Sequence, residues 1–245
     1  MSYTKLNYLT DTYQFEDQST VLDILTQNDS NQSIILDSTI MYPQGGGQPY
    51  DLGVLTQDDI VFKVSEVRFK DGVVYHIGKF ESNSFATNSV VQVHVDSERR
   101  LLNARLHTAG HLVDDALFSL NYKLHPLKGY HYPDGPYVEY EGELKGDLTQ
   151  IAKEVEVKIN EIIKTNYNVH NEIVNSIEEL KFKCMYIPSH IPDGKPIRIV
   201  YVSDPSKGQP CGGTHVKSLL EVGNVLIPKI KIKSSNTRVS YQIVS

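Results

Sequence analysis

Two short motifs constrain this chain more than anything else in it: His107-Thr108-Ala109-Gly110-His111 and Pro210-Cys211-Gly212-Gly213-Thr214-His215. Histidines at i and i+4 of a helix stand one turn apart on one face, where both imidazoles reach a single metal ion. A cysteine and a histidine around two glycines make a tight loop offering a thiolate and an imidazole. Taken alone, the histidine pair also fits two surface side chains, and the cysteine fits an inert buried thiol beside a turn. Taken together, His107, His111, Cys211 and His215 form a Cys-His₃ set whose borderline-soft donors suit one zinc ion per chain. A chain that uses this set must bring a helix and a loop, roughly a hundred residues apart, to one point.

The helix is legible around the first motif. Ser97 is read as its cap, and Leu102, Leu106, Ala109, Val113, Ala116 and Leu120 recur at three- and four-residue steps over about 98–120. Asp147 with Gln150 three residues on predicts a capping box and a second amphipathic helix to about Asn168, with Leu148, Ile151, Val155, Ile159 and Ile162 inward. Strands are expected at 90–96, 136–144, 197–202, 224–233 and 238–244. Before residue 90 the pattern is all-β, with runs at 32–39, 60–68 and 73–77 separated by turn signals at 28–31, 45–49, 58–59 and at Asp71-Gly72, a hairpin signal. The polar stretch 81–89 suggests a boundary. The expectation is α+β: a small N-terminal β-barrel or sandwich over 1–89, then an α+β domain over 90–245 with helices packed on a mainly antiparallel sheet.

Several function classes fall away. No apolar run reaches the roughly 18 residues a membrane span needs, and the N-terminus has no apolar signal-peptide core. Two cysteines, Cys184 and Cys211, make no disulfide framework. A soluble, cytoplasmic protein without an obligate protein partner is expected. Cys184 has no histidine nearer than His190 and is read as an inert buried thiol. The first motif lacks the glutamate of H-E-x-x-H metalloproteases, since Thr108 stands there. The net charge of −6 argues against indiscriminate nucleic-acid binding. Residues 205–245, however, carry Lys207, Lys217, Lys229, Lys231, Lys233 and Arg238 against Glu221 alone. Such an end docks a polyanion, or guards a strand edge against aggregation.

A third motif lies at Tyr42-Pro43-Gln44-Gly45-Gly46-Gly47-Gln48-Pro49-Tyr50-Asp51. Three glycines let backbone approach another surface closely. The run is read as a loop over a site, with Gln48 as polar reader, or as a wide turn at a barrel rim. It is no Walker loop.

In this order and spacing, YPQGGGQPYDLG, VHVDSERRLLNARLHTAGHLVDDAL and RIVYVSDPSKGQPCGGTHV resemble the free-standing alanyl-tRNA editing proteins (the AlaX group) and the editing region of alanyl-tRNA synthetase. The resemblance runs from about Asn31 to Arg238. It implies that the N-terminal domain is a barrel and that His107, His111, Cys211 and His215 are zinc positions. It also implies that Gln48 faces the editing pocket and that Thr108 is the small hydroxyl residue of the metal helix. The implied activity is ATP-independent deacylation of alanine tRNA mischarged with serine, in some members glycine. The chain is short for a synthetase, so action in trans is expected. Gln48 and Thr108 are candidate partners for a serine hydroxyl, though Thr108 also fits an ordinary helix residue bonded to its own i−4 carbonyl. Gln44 replaces the family's usual glutamate, Ser97 stands where many members have tryptophan, and the segment 128–142 is expected to line the pocket. The rival reading is a non-catalytic, zinc-stabilised tRNA-binding module.

Overall fold

Short, β-branched runs between tight turns close into a barrel rather than an open sheet. The computed structural model describes residues 3–26, 31–187 and 195–244, and the chain divides into two units. The first unit comprises residues 3–45 and 49–101, with Lys195. Its strands are β1 (Lys5–Leu6), β2 (Glu16–Thr26), β3 (Gln32–Leu36), β4 (Ser38–Thr39), β5 (Gly53–Gln57), β6 (Ile60–Lys70), β7 (Val73–Phe80) and β8 (Val90–Val95). Six of them form a closed antiparallel barrel in the order β2-β3-β7-β6-β5-β8. Closure removes the free edges that open sheets must guard.

Val21, Ile34, Leu36, Leu55, Phe62, Val67, Val74, Val91 and Val93 fill the barrel. In β6 the inward positions run 62, 64, then 67, because a register shift between Val64 and Glu66 inserts a residue. The predicted hairpin is present: Asp71 (φ 50°) and Gly72 (φ 80°) make the two left-handed positions that this turn requires. Strand β8 pairs with both β2 and β5, so Val90–Val95 completes the barrel, and the first unit extends to Leu101. Of the turn signal at 28–31, residues 28–30 lie outside the described residues, as does His190.

One buried ion pair ties this unit together. The Arg100 guanidinium meets the Asp51 carboxylate, and both side chains are wholly buried. Arg100 also donates to the carbonyls of Thr12 and Ile40. Asp51 accepts the Tyr42 N–H at 2.6 Å, so the carboxylate bridges the two ends of the glycine-rich motif.

Helix α1 (Ser97–Ser119) begins here and continues into the second unit. Its cap is Asp96, not Ser97. The Asp96 carboxylate accepts the Arg99 N–H at 3.0 Å, and Ser97 is already helical.

The second unit comprises residues 46–48, 102–187 and 196–244. It adds β9 (His125–Tyr130), β10 (Tyr137–Glu141), α2 (Leu148–Lys164), β11 (His170–Val174), α3 (Ile177–Lys183), β12 (Ile197–Tyr201), β13 (Gln209–Pro210), β14 (Asn224–Lys233) and β15 (Asn236–Val244). The larger sheet runs β14-β15-β10-β9 and the smaller β11-β12-β13, all pairs antiparallel. Leu106, Leu112, Val113, Ala116 and Leu117 of α1 share one core with Ile151, Val155 and Ile159 of α2 and with Val138, Ile230 and Val239 of the sheet. The α+β expectation holds.

Details differ. Leu102 is exposed instead of inward. Asp147 caps α2 through the N–H groups of Thr149 and Gln150, but the Gln150 side chain turns to Glu154, so only half of the capping box forms. The helix ends at Lys164, four residues early, because Asn166 turns left-handed (φ 53°).

Candidate metal centre

Helix α1 stacks His107 over His111 with ring centroids 5.1 Å apart and planes 10° from parallel. The loop leaving β13 brings Cys211 and His215 to the same point. One donor atom from each of the four residues lies within 4.8 Å of all the others. The Cys211 Sγ is 3.4 Å from His107 Nε2 and 3.3 Å from His215 Nε2. Among the described residues, the buried His111 Nε2 has no hydrogen-bond partner. A buried polar nitrogen left this way is costly unless a ligand completes it. This orphaned atom and the sulfur-nitrogen donor set fit a metal ion.

The outward nitrogens are all held. His107 Nδ1 lies 2.8 Å from Gln48 Oε1. The same oxygen accepts the Thr214 N–H at 3.0 Å, while the Gln48 amide donates to Thr214 Oγ1 at 2.9 Å. His215 Nδ1 lies 3.2 Å from Thr108 Oγ1. That hydroxyl donates to the Ala104 carbonyl at 2.8 Å and accepts the Val216 N–H at 3.2 Å. His111 Nδ1 bonds Gln209 Oε1. Each ring thus meets an acceptor at Nδ1, which leaves its Nε2 lone pair for the cluster, the usual arrangement behind metal-bound histidines.

Electrostatics agree with neutral His107 and His215. Burial holds both well below the ordinary imidazole range, and neighbouring imidazoles add to the effect. Burial alone would raise the Cys211 thiol, but His111, the Gly213 N–H and Arg198 bring it below its usual value. Burial also opposes charge on His111, yet the Cys211 sulfur and the Asp114 carboxylate raise it well above the usual range. The cluster therefore shifts Cys211 toward the thiolate, the form that binds metal.

Glycines make the packing possible. A Cβ on Gly213 would sit 2.2 Å from His107 Cε1. Gly47 (φ 77°) approaches the Gly129 backbone so closely that a Cβ would meet its carbonyl oxygen at 2.3 Å. Gly46–Gln48 belong to the second unit although their flanking residues belong to the first.

His131 belongs to this site although no sequence motif singles it out. It stacks on His107 at 4.4 Å between centroids, and Gly110 inside the first motif makes room for its ring. Its Nδ1 lies 2.6 Å from the Tyr241 hydroxyl, which donates to the Leu106 carbonyl. Burial, with His111 adding to it, pushes it down to about 3, so the ring is neutral. Its one sequence signal was its place within 128–142. Gln209, two residues before Cys211, carried none. Cys184 stands apart from the cluster, buried, with its thiol pushed up to about 11 by that burial. Lys229, Lys231 and Lys233 are exposed on β14, an edge strand. Arg238 opposes Lys231 across the β14–β15 pair and lies 3.9 Å over the Tyr137 ring.

Comparison with known proteins extends the motif reading. A family profile described as "tRNA synthetases class II (A)" matches residues 1–99. The chain is 33% identical over 230 residues to the alanyl-tRNA editing protein AlaX-L of Pyrococcus horikoshii, covering 94% of this chain and 55% of that protein. It is 34% identical over 242 residues to an alanine–tRNA ligase of Halobacterium salinarum, and 30% identical over 249 residues to one of Methanosarcina acetivorans. Those matches cover 91% and 97% of this chain but 24% and 25% of the ligases. The chain therefore spans about half the length of the editing protein and about a quarter of each ligase. Over nearly all of its own length, this chain is similar to an alanyl-tRNA editing protein and to a part of the alanine–tRNA ligases.

Proposed function

We propose that this chain hydrolyses the ester joining a wrong amino acid, serine or glycine, to alanine tRNA, acting in trans in the cytoplasm with one zinc ion per chain. The observation that carries the reading is the convergence of one donor atom each from Cys211, His107, His111 and His215 at one point, in a chain similar to an editing protein. His107, His111, Cys211 and His215 would hold the ion. When bound, zinc supplies Lewis-acid stabilisation of developing charge.

The chain's own residues do the rest. An aminoacyl ester is already activated, so orienting its carbonyl and one water accounts for much of the barrier. Cys211 serves as a ligand, not as a nucleophile, since a metal-held thiolate is tied up. Gln48 keeps one amide hydrogen beyond its bonds to Thr214 and His107, and this is the group we propose meets the substrate. Thr108, already bonded three ways, contributes through the His215 ring it holds. A pocket that hydrogen-bonds a serine hydroxyl leaves polar groups unpaired when alanine enters, which discriminates strongly.

The exposed lysines of β14 would face RNA. Reversing Lys229, Lys231 and Lys233 to Glu is expected to weaken tRNA binding and to flatten its salt dependence by about one unit of slope per lost phosphate contact. Unchanged binding would assign these lysines to guarding the sheet edge. Among the described residues, no helix is long and apolar enough to cross a membrane.

The second reading, a zinc-stabilised tRNA-binding module, draws on the same cluster: four protein donors are enough to close a structural site. Deacylation of alanine tRNA charged separately with serine, glycine and alanine, before and after chelation, separates the two. Chelator-sensitive loss of serine or glycine with alanine spared supports editing. Tight tRNA binding with no hydrolysis of any of them supports the module.

A further inference from the structure

Resting on the metal reading of the cluster, we propose that Gln209, held by Asp115, is a positioning residue that sets the tautomer of His111 and so aims its Nε2 lone pair at the other three donors. The partners of the Gln209 amide fix which way round it lies. Gln209 is buried in β13. Its Nε2 donates to Asp115 Oδ1 at 2.7 Å and to the His111 carbonyl at 3.3 Å. A backbone carbonyl only accepts, so the nitrogen belongs on this side and the oxygen must be the atom that faces His111 Nδ1. An amide oxygen cannot donate; the shared proton therefore sits on Nδ1. A metal ligand must be neutral, and a neutral imidazole has one N–H, so with that proton on Nδ1 the Nε2 is bare for the metal. That is the nitrogen with no hydrogen-bond partner among the described residues.

Asp115 is itself fixed. The Ser203 hydroxyl donates to its Oδ2, so Ser203, Asp115, Gln209 and His111 form one chain of bonds from the β12 side of the unit to the cluster. Asp114 does different work. It takes the Tyr140 hydroxyl at 2.6 Å, and its Oδ2 stands 3.7 Å from His111 Nδ1, beyond hydrogen-bond reach. The arrangement also explains why an amide occupies position 209. A carboxylate there would accept from His111 equally well, but it would lie against Asp115.

That last point supplies the test. Three variants of the full chain are compared with the parent: Gln209→Leu, Gln209→Glu and the double variant Gln209→Glu with Asp115→Asn. The readouts are zinc affinity by competition with a chelator and the imidazole ¹⁵N chemical shifts of His111 in metal-free protein, followed to a pH at which the ring is neutral. Gln209→Leu is expected to lower zinc affinity about 10- to 100-fold, the usual effect of losing an outer partner, and to mix the two His111 tautomers. Gln209→Glu is expected to weaken binding through repulsion from Asp115. The double variant exchanges donor and acceptor along the same bond, and is expected to recover most of the affinity and the single Nδ1–H tautomer. A merely structural role would not move the tautomer and would not be rescued by the exchange. Unchanged zinc affinity and tautomer in Gln209→Leu overturn the proposal, as does a double variant no better than Gln209→Glu, an outcome that decides the matter even where the leucine variant does not fold. A parent chain that binds no zinc overturns the metal reading itself.

Discussion

Two polar clusters, one in each unit, show the difference between a group of side chains whose partners are all protein and one that could hold a metal ion. In the first unit the Arg100 guanidinium meets Asp51 and the carbonyls of Thr12 and Ile40, and Asp51 also takes the Tyr42 N–H. Every partner is protein, and the charges cancel. In the second unit the outward nitrogens of three histidines are each matched to an oxygen, but the inward nitrogens face one another and a sulfur. His111 Nε2 has no hydrogen-bond partner among the described residues. Arg100 and Asp51 are wholly buried, and the three histidines are buried with Cys211 half-buried beside them. What differs is whether the hydrogen-bond accounting closes, and only the open one points to a ligand.

The comparison breaks most visibly at the ion pair. Asp51→Ala leaves the Arg100 charge buried and uncompensated, and is expected to destabilise the first unit by about 3–5 kcal/mol in urea unfolding. Replacing both partners with apolar residues should recover much of that loss, because the unpaired charge is what costs. A fully tolerated Asp51→Ala would mean that the pair is not the closed cluster described here.

A second closed site sharpens the point through pH. His76 is buried in the barrel between Thr39 Oγ1 and the Ile34 carbonyl, and burial lowers it from 6.5 to about 4. Its folded value lies below its unfolded one, so the unfolded chain takes up the proton first as pH falls. Stability is then full above about 6.5 and declines toward 4, by up to about 3 kcal/mol. His76→Gln should flatten unfolding free energy over that window. An equally steep decline in the variant would assign it to other groups.

The open cluster should show its own signature at a smaller cost. Gly213→Ala forces a Cβ against the His107 ring, and overpacking of this kind costs about 1–3 kcal/mol. We expect weakened metal binding to accompany that modest loss, since the ring that moves is one of the four proposed ligands. Intact zinc affinity alongside the stability loss would place His107 outside the coordination set.

What was legible in the sequence follows from how local each determinant is. The two ligand motifs encode their geometry within five residues, so helix spacing and a glycine loop were readable directly. The Asp71-Gly72 hairpin and the α2 core face were readable for the same reason. The partners at Nδ1 were not. Gln209 is an ordinary residue until Asp115, nearly a hundred positions away, fixes its amide. Gln48 and Thr108 were singled out as candidate partners for substrate, while the bonds the structure gives them run to ligand rings and to the loop around Thr214. Strands β2 and β5 escaped the reading because most of their residues are half-buried and show little alternation. Helix α3 and strands β9 and β11 are short elements with weak periodicity, and tertiary pairing decides them. The cap of α1 lies one residue before the expected one because Asp96 and Ser97 are both good caps, and only the Arg99 N–H distinguishes them.

The central claim is that Cys211 and the Nε2 atoms of His107, His111 and His215 hold one zinc ion. X-ray absorption on the zinc-loaded chain, with the metal content measured in parallel, tests it most directly. The account predicts one zinc per chain with a single sulfur at about 2.3 Å and imidazole nitrogens at about 2.0–2.1 Å. Substoichiometric zinc, or a coordination shell without sulfur, would contradict it.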